Sequence, residues 1–345
     1  MLVDNLSGTP VRGRDNRDYS LDILRGIAVI LMIFHHVVTW LYTDSIRDII
    51  TIIGRISVGD IAAPIFFTVC GMSLYYSINV MQAKHLGTVN ILKKLAQRNL
   101  RLYFIGLVLG LVAFGQSSFF YWGVLQSLAA AGFLAGALYL LPARKTVLLF
   151  TGFLSLAGYY FFHPYAYLLP AKPGRILLGD FSLVLLTGFL SIGLFMATYV
   201  LTGNYKPPTM AAASLSFTAL GLVGHFTGFL ITRFPASPSY IIFAVGLTLL
   251  MYAALLFVKA DGAYVYPAVW AGRNALNIFV LHYLIYVYAK YADLLSSFNG
   301  PYSVLVASAV TAFFLLLSKW MVWPFAARHR NNKFQCGNKG QGIFL

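Results

Sequence analysis

The stretch LRGIAVILMIFHH, residues 24–36, sets an arginine near one end of an apolar run and two histidines near the other. The run around it, residues 20–42, is long enough to cross a bilayer, for which about 20 apolar residues suffice. It is too long for the apolar part of a signal peptide, and no small-residue cleavage site follows closely. It therefore reads as a retained first membrane helix. Crossing a membrane requires none of Arg25, His35 and His36. On an ideal helix Arg25 and His36, eleven residues apart, fall within about 20° of one face. They lie roughly 16 Å apart along the axis, about half the hydrocarbon thickness. His35 falls about 80° to the side. Titratable groups at such depth are costly and normally face a bundle interior or a water-filled cavity.

The whole chain repeats the apolar pattern. It has 345 residues, 59% hydrophobic and only 10% charged, where a soluble domain carries about 25% charged residues. Further spans are predicted at 57–81, 99–116, 120–142, 146–163, 181–203, 209–231, 239–258, 270–290 and 303–325. With the first they make about ten transmembrane helices, so the expected fold is an all-α polytopic membrane protein. The loop HPYAYLLPAKPGRILLGD, residues 163–180, has room for an interfacial or re-entrant piece.

With the N-terminus inside, only Arg47, Arg55, Lys172, Arg175, Arg233 and Lys290 of the 25 Lys and Arg fall in outer segments. This bias puts both termini in the cytoplasm. It also accounts for the net charge of +15 without invoking nucleic acid. The chain then divides into a cytoplasmic segment (1–19), one transmembrane domain (20–325) and a cytoplasmic tail (326–345). Cys70 and Cys336 are too few and too far apart in setting for a disulfide framework. A multi-pass protein of a prokaryotic plasma membrane is the expected setting.

Tracing the helices in alternating direction brings more polar residues to the depth of His36. Asp60 opens the second helix on the outer side. His225 lies well outward along the seventh, and His282 at least halfway out along the ninth, with Asn274 and Asn277 below it. Histidine titrates near neutrality and suits a general base. A carboxylate such as Asp60 can orient the ring or hold a sugar, and an amide can polarise a carbonyl. For His225 and His282 a packing role stays open. No H-x-x-x-H pair occurs on one helix, so no metal is expected. The sequence also has neither a G-x-S-x-G elbow nor a P-loop.

On the inner side, Lys93, Lys94, Arg98 and Arg101 in KKLAQRNLR spread over an arc of about 140° at helical spacing. They suit the phosphates of a soluble donor such as a coenzyme A, and equally the ordinary excess of inner positive charge. Arg25, near the inner mouth, has the same two readings.

LDILRGIAVILMIFHH, SVGDIAAPIFFTVCGMS, RNLRLYFIGLVLGL, WGVLQSLA and AGRNALNIFVLHY occur in the order seen in transmembrane acetyltransferases. The chain resembles the heparan-alpha-glucosaminide N-acetyltransferase family and its prokaryotic relatives. Asp60, Pro64 and Phe66, the Gly71 and Ser73 that follow, and Gly123 to Gln126 carry that resemblance. The spacing from Arg25 to His36 is more similar to the related acyltransferase family 3, which acylates surface sugars. The resemblance covers residues 18–140 and 268–290. It implies a transferase working across the bilayer, with acetyl-CoA bound from the cytoplasm and a sugar amine or hydroxyl, glucosamine-like, presented outside.

The heparan enzymes carry a catalytic histidine in the outer segment between the first two helices. Residues 41–59 contain none, which moves the catalytic role to His36. His36 and Asp60 are the expected catalytic residues. His35, His225, Asn274, Asn277 and His282 are expected to bind the acceptor, and Arg25, Lys93, Lys94, Arg98, Arg101 and Gln126 the donor. The partners implied are acetyl-CoA, a sugar acceptor and the bilayer, with a homodimer left open. The competing expectation is a transporter or flippase of a small polar or lipid-linked solute. It would more often show inverted repeats and broken helices at matching positions.

Overall fold

In a bilayer every backbone N–H and C=O must be satisfied within the chain, so long apolar segments fold as helices. A computed structural model describes residues 19–40, 51–53, 56–114, 122–201, 207–233, 235–256, 266–291, 305–306 and 308–316. The helices are α1 Tyr19–Trp40, α2 Ala62–Ala83, α3 Thr88–Phe114, α4 Val124–Tyr139, α5 Arg144–Phe162, α6 Ala171–Leu178, α7 Leu183–Val200, α8 Pro207–Phe226, α9 Pro238–Leu255, α10 Tyr266–Arg273 and α11 Ala275–Tyr291. A small antiparallel hairpin, β1 Thr51–Ile53 and β2 Ile56–Ser57, leads into a 3₁₀ turn, Val58–Ile61, before α2.

Among the described residues seven helical segments are long and apolar enough to cross a membrane: Tyr19–Val38, Gly59–Ala83, Thr88–Ala113, Arg144–Leu168, Ala171–Val200, Pro208–Phe226 and Pro238–Leu255. α4 and α11 are apolar but shorter. The multi-pass, all-helical expectation is met, and seven segments rather than ten reach full span length. The tenth predicted span lies mostly outside the described residues, as do 1–18 and 317–345.

Two boundaries differ from the sequence reading, and the loop at 163–180 fills the room noted for an extra piece. α3 starts at Thr88 instead of residue 99, because Lys93, Lys94, Gln97 and Arg98 are good helix formers that an apolar window passes over. The ninth predicted span is interrupted at Asn274, between α10 and α11. The loop at 163–180 contains a 3₁₀ turn, His163–Leu168, and the eight-residue α6. Where serine caps are available they set the helix starts. Ser182 Oγ accepts the Leu185 N–H at 3.1 Å to begin α7. Ser237 Oγ accepts the Tyr240 N–H at 3.2 Å to begin α9, with Pro238 in the first turn.

α7 packs against α2, α4 and α5; α1 packs against α2 and α10; α8 and α9 form a pair. Lipid tails supply no hydrophobic drive between helices, so close backbone approach carries much of the packing. Two pairs of parallel helices cross through facing glycines. A Cβ on Gly26 would lie 1.9 Å from the Ala268 carbonyl oxygen, and one on Gly272 would lie 1.8 Å from that of Asp22. Gly71 and Gly193 meet in the same way against Leu190 and Thr68. Beyond the first crossing, Val29 and Ile33 of α1 share one buried cluster with Ala271, Ala275 and Ile278.

Substituting Gly26→Ala should therefore cost about 1–3 kcal/mol from overpacking against backbone that cannot rotate away, read as a lowered Tm of the purified protein. Gly87→Ala, where an added Cβ meets nothing within 4 Å, should leave Tm unchanged. Equal Tm values for both variants would refute the crossing.

Candidate functional site

Two polar clusters lie along α1, at opposite ends of its buried stripe. The first surrounds Arg25. Asp22, 2% exposed, accepts from Arg25 Nη1 at 3.4 Å and from Arg273 Nε at 3.2 Å. Arg25 also donates to the Gly272 carbonyl at 3.3 Å and to the Ser73 hydroxyl. One buried carboxylate thus joins α1 to the end of α10, while Arg25 reaches α2. Such a charge is tolerated in low dielectric only because it is paired and hydrogen-bonded. Arg25 and Arg98 both act electrostatically on Cys70.

The second cluster surrounds the histidines. His36 Nδ1 and His282 Nε2 are 3.0 Å apart, their rings meeting edge to edge with centroids 5.2 Å apart and planes at 9°. His282 is fully buried, and its Nδ1 lies 3.2 Å from the Ile278 carbonyl oxygen. His35 points another way. Its ring packs where a Cβ on Gly59 would fall, and its Nδ1 is 3.4 Å from Ser57 Oγ.

Asp60 is built into the turn that starts α2: its Oδ2 accepts from the Ser57 N–H at 2.8 Å and from Ser57 Oγ at 2.9 Å. Its Oδ1 accepts from Arg233 Nη1 at 2.5 Å, and its carbonyl accepts from the Tyr240 hydroxyl at 2.7 Å. Asp60 and Arg233 both act electrostatically on His35, and Arg233 acts on His36 as well. Beside the ion pair is a cavity of about 30 Å³ lined by Pro64, Phe67, Asp180, Phe181, Arg233 and Tyr240 among others, enough for one or two waters.

The structure therefore brings together His35, His36, Asp60 and His282 among the predicted residues, and adds Arg233, Ser57 and Tyr240. Ser57 was readable in principle, since S-x-x-D before an apolar run is a capping pattern. Asp22 was also within reach, one turn before Arg25. Arg233 carried no local signal, because it meets Asp60 from 173 residues away. His225 stands apart from the histidine pair. Its Nδ1 accepts the Ile231 N–H at 3.1 Å and braces the loop that carries Arg233. Asn274 donates to the Trp270 carbonyl at 2.9 Å, and Asn277 is exposed. Gln126 accepts the Gly123 N–H at 3.2 Å, at the start of α4. Lys93, Lys94, Arg98 and Arg101 are all exposed along α3. Among the described residues no three His, Cys, Asp or Glu side chains gather closely enough to hold a metal ion.

The model of a family described as heparan-alpha-glucosaminide N-acetyltransferase, catalytic, matches residues 17–230, more than half of the chain. No curated protein matches. The match covers His35, His36, Asp60 and the α3 cations, and stops short of Arg233 and His282. It does not favour a transporter or flippase.

The Asp60–Arg233 pair ties the loop before α9 to the start of α2. Asp60→Asn should release that loop, lowering stability by about 1–3 kcal/mol and speeding tryptic cleavage after Arg233 several-fold. Cleavage at the wild-type rate would show that the pair does not hold the loop.

Proposed function

The chain belongs to the heparan-alpha-glucosaminide N-acetyltransferase family, and from that premise we propose that it is a multi-pass membrane acyltransferase that moves an acetyl group from cytoplasmic acetyl-CoA to a sugar on the other side. The family and the apolar helices make it a membrane protein of acetyltransferase type. Donor, direction and residue roles are our reading. A prokaryotic plasma membrane is the setting that we assign to it.

The observation that carries the reading is the placement of two polar stations in one α1 stripe, roughly 16 Å apart. At one station Arg25 and Arg98 both act electrostatically on Cys70, with Lys93, Lys94 and Arg101 further along α3. Cations in this arrangement suit the phosphates of a coenzyme. The separation suits an extended pantetheine arm, which would carry the thioester along the stripe towards His36. Gln126 at the start of α4 and Asn274 at the helix interruption are the amides we place along that path.

At the other station His36 acts as general base. It takes the proton from the acceptor amine or hydroxyl as that nitrogen or oxygen bonds to the thioester carbonyl carbon. The C–S bond breaks, and the departing sulfur recovers the proton from the imidazolium. The products are the acetylated acceptor and coenzyme A. Asp60 and Arg233 form a fixed polar wall that can hold sugar hydroxyls, with His35 beside it. Asn277 stays with the acceptor as a more distant contact, and His225 serves through the loop it braces.

The deciding experiment is acetyl transfer from radiolabelled acetyl-CoA by purified protein, with glucosamine among the acceptors. His36→Ala should lower kcat by about 10²–10⁴-fold while thermal stabilisation by coenzyme A persists. Replacing Lys93, Lys94 and Arg98 together by Ala should instead raise the donor KM. Near-normal turnover in His36→Ala would remove His36 from the mechanism. A wild-type protein that neither transfers acetyl nor is stabilised by coenzyme A would overturn the reaction.

A further inference from the structure

The contact between His36 and His282 contains more information than a distance. Resting on the reading of His36 as the base, we propose that His282 is a positioning residue that fixes the tautomer of His36 so that Nε2, rather than Nδ1, receives the acceptor's proton.

A carbonyl oxygen can only accept, so the 3.2 Å contact between His282 Nδ1 and the Ile278 carbonyl requires a hydrogen on Nδ1. In a neutral ring the other nitrogen, Nε2, is then an acceptor. A doubly protonated His282 would bury a cation with no exposed surface, at a cost of several kcal/mol. The 3.0 Å contact must accordingly run from His36 Nδ1–H to His282 Nε2. The hydrogen on Nδ1 leaves the lone pair of a neutral His36 on Nε2. When Nε2 takes a proton, His36 becomes an imidazolium whose Nδ1–H still donates to His282. The same bond therefore serves before and after the transfer, and no second proton movement is needed.

The arrangement has a rigid support. Ile278 lies one turn before His282 on the same helix, so its carbonyl is held in place by α11 itself. Phe279 packs edge-on against the His282 ring, 5.2 Å between centroids. Both groups restrict rotation of His282, and through it the ring plane of His36, which is nearly parallel. The role differs from binding the acceptor, since His282 has no surface with which to touch one. A partner that fixes which nitrogen of a catalytic histidine bears the hydrogen has a large effect on rate wherever the base must be one particular nitrogen.

The test uses full-length protein carrying ¹⁵N-histidine in lipid, where nitrogen shifts distinguish the two neutral tautomers without reference to activity. Neutral imidazole in water prefers the hydrogen on Nε2, so the Nδ1–H signals of His36 and His282 would stand out, beside that of His35, whose Nδ1 faces a Ser57 hydroxyl that already donates to Asp60. His36→Leu should remove one of them. His282→Leu should remove both, because His36 then reverts to the common tautomer. In parallel, His282→Leu should lower kcat by about 10²-fold or more with the donor KM within about three-fold. His282→Gln, whose amide oxygen can still accept from His36, should recover at least about ten-fold of that loss. A wild-type His36 with its hydrogen on Nε2, or a His36 signal unchanged in His282→Leu, would overturn the proposal even if transfer is confirmed. Absence of acetyl transfer with the expected tautomers would instead overturn the reaction and leave the histidine pair standing. A His282→Leu protein that fails to fold is decided by His282→Gln, which loses the His282 ring but should keep the Nδ1–H signal of His36 only if the acceptor role is correct.

Discussion

Everything about the histidine site depends on the crossing of α1 with α10 at Gly26 and Gly272. Both residues lack a Cβ where one would strike the opposing backbone, so the helices touch along their main chains and cannot slide past each other without reopening the gap. Asp22 locks the same register by joining Arg25 of its own helix to Arg273 of the partner. Ten residues further along, α11 continues the course of α10 parallel to α1 and brings His282 to His36. The offset of 246 that separates the histidines also separates the two glycines. One turn of slippage would displace the rings by about 5 Å and break the contact. A packing constraint at one end of the helix pair thus sets the chemistry at the other.

The sequence made part of this legible. The spacing of Arg25 and His36 could be read as one stripe because an ideal helix has only one periodicity, and α1 keeps it. His282 could be placed at a matching depth because its helix runs the same way. What the spacing could not show was which groups share a bond. Asp60 was expected beside the catalytic histidine, and its carboxylate is instead held by Ser57 and Arg233, with His35 as the nearer ring. Arg233 was counted among the outer cations, since nothing near it in sequence reveals that a distant turn presents a carboxylate. His225 lies at the expected level yet turns to its own loop, because the chain's reversal after α8 leaves the Ile231 N–H in need of an acceptor.

The two clusters differ in how they use charge. Around Asp22 a fully buried carboxylate is compensated on two sides, and its effect is to hold helices in place. Around His36 the contact is between two rings, and the fixed charges of Asp60 and Arg233 pair with each other nearby. A polar cluster whose permanent charges pair with each other leaves the neighbouring ring contact free of a direct ionic demand on its geometry.

The histidine pair also orders the protein's own synthesis. His36 enters the membrane in the first helix, and His282 follows only after 246 further residues, on the order of tens of seconds at ordinary translation rates. Through that interval Asp22, Arg25 and His36 sit in lipid or translocon without Arg273 or His282. A chain interrupted before α10 would therefore hold His36 without the ring of His282, and Asp22 with Arg25 as its partner but without Arg273. The histidine pair is therefore completed only late in synthesis.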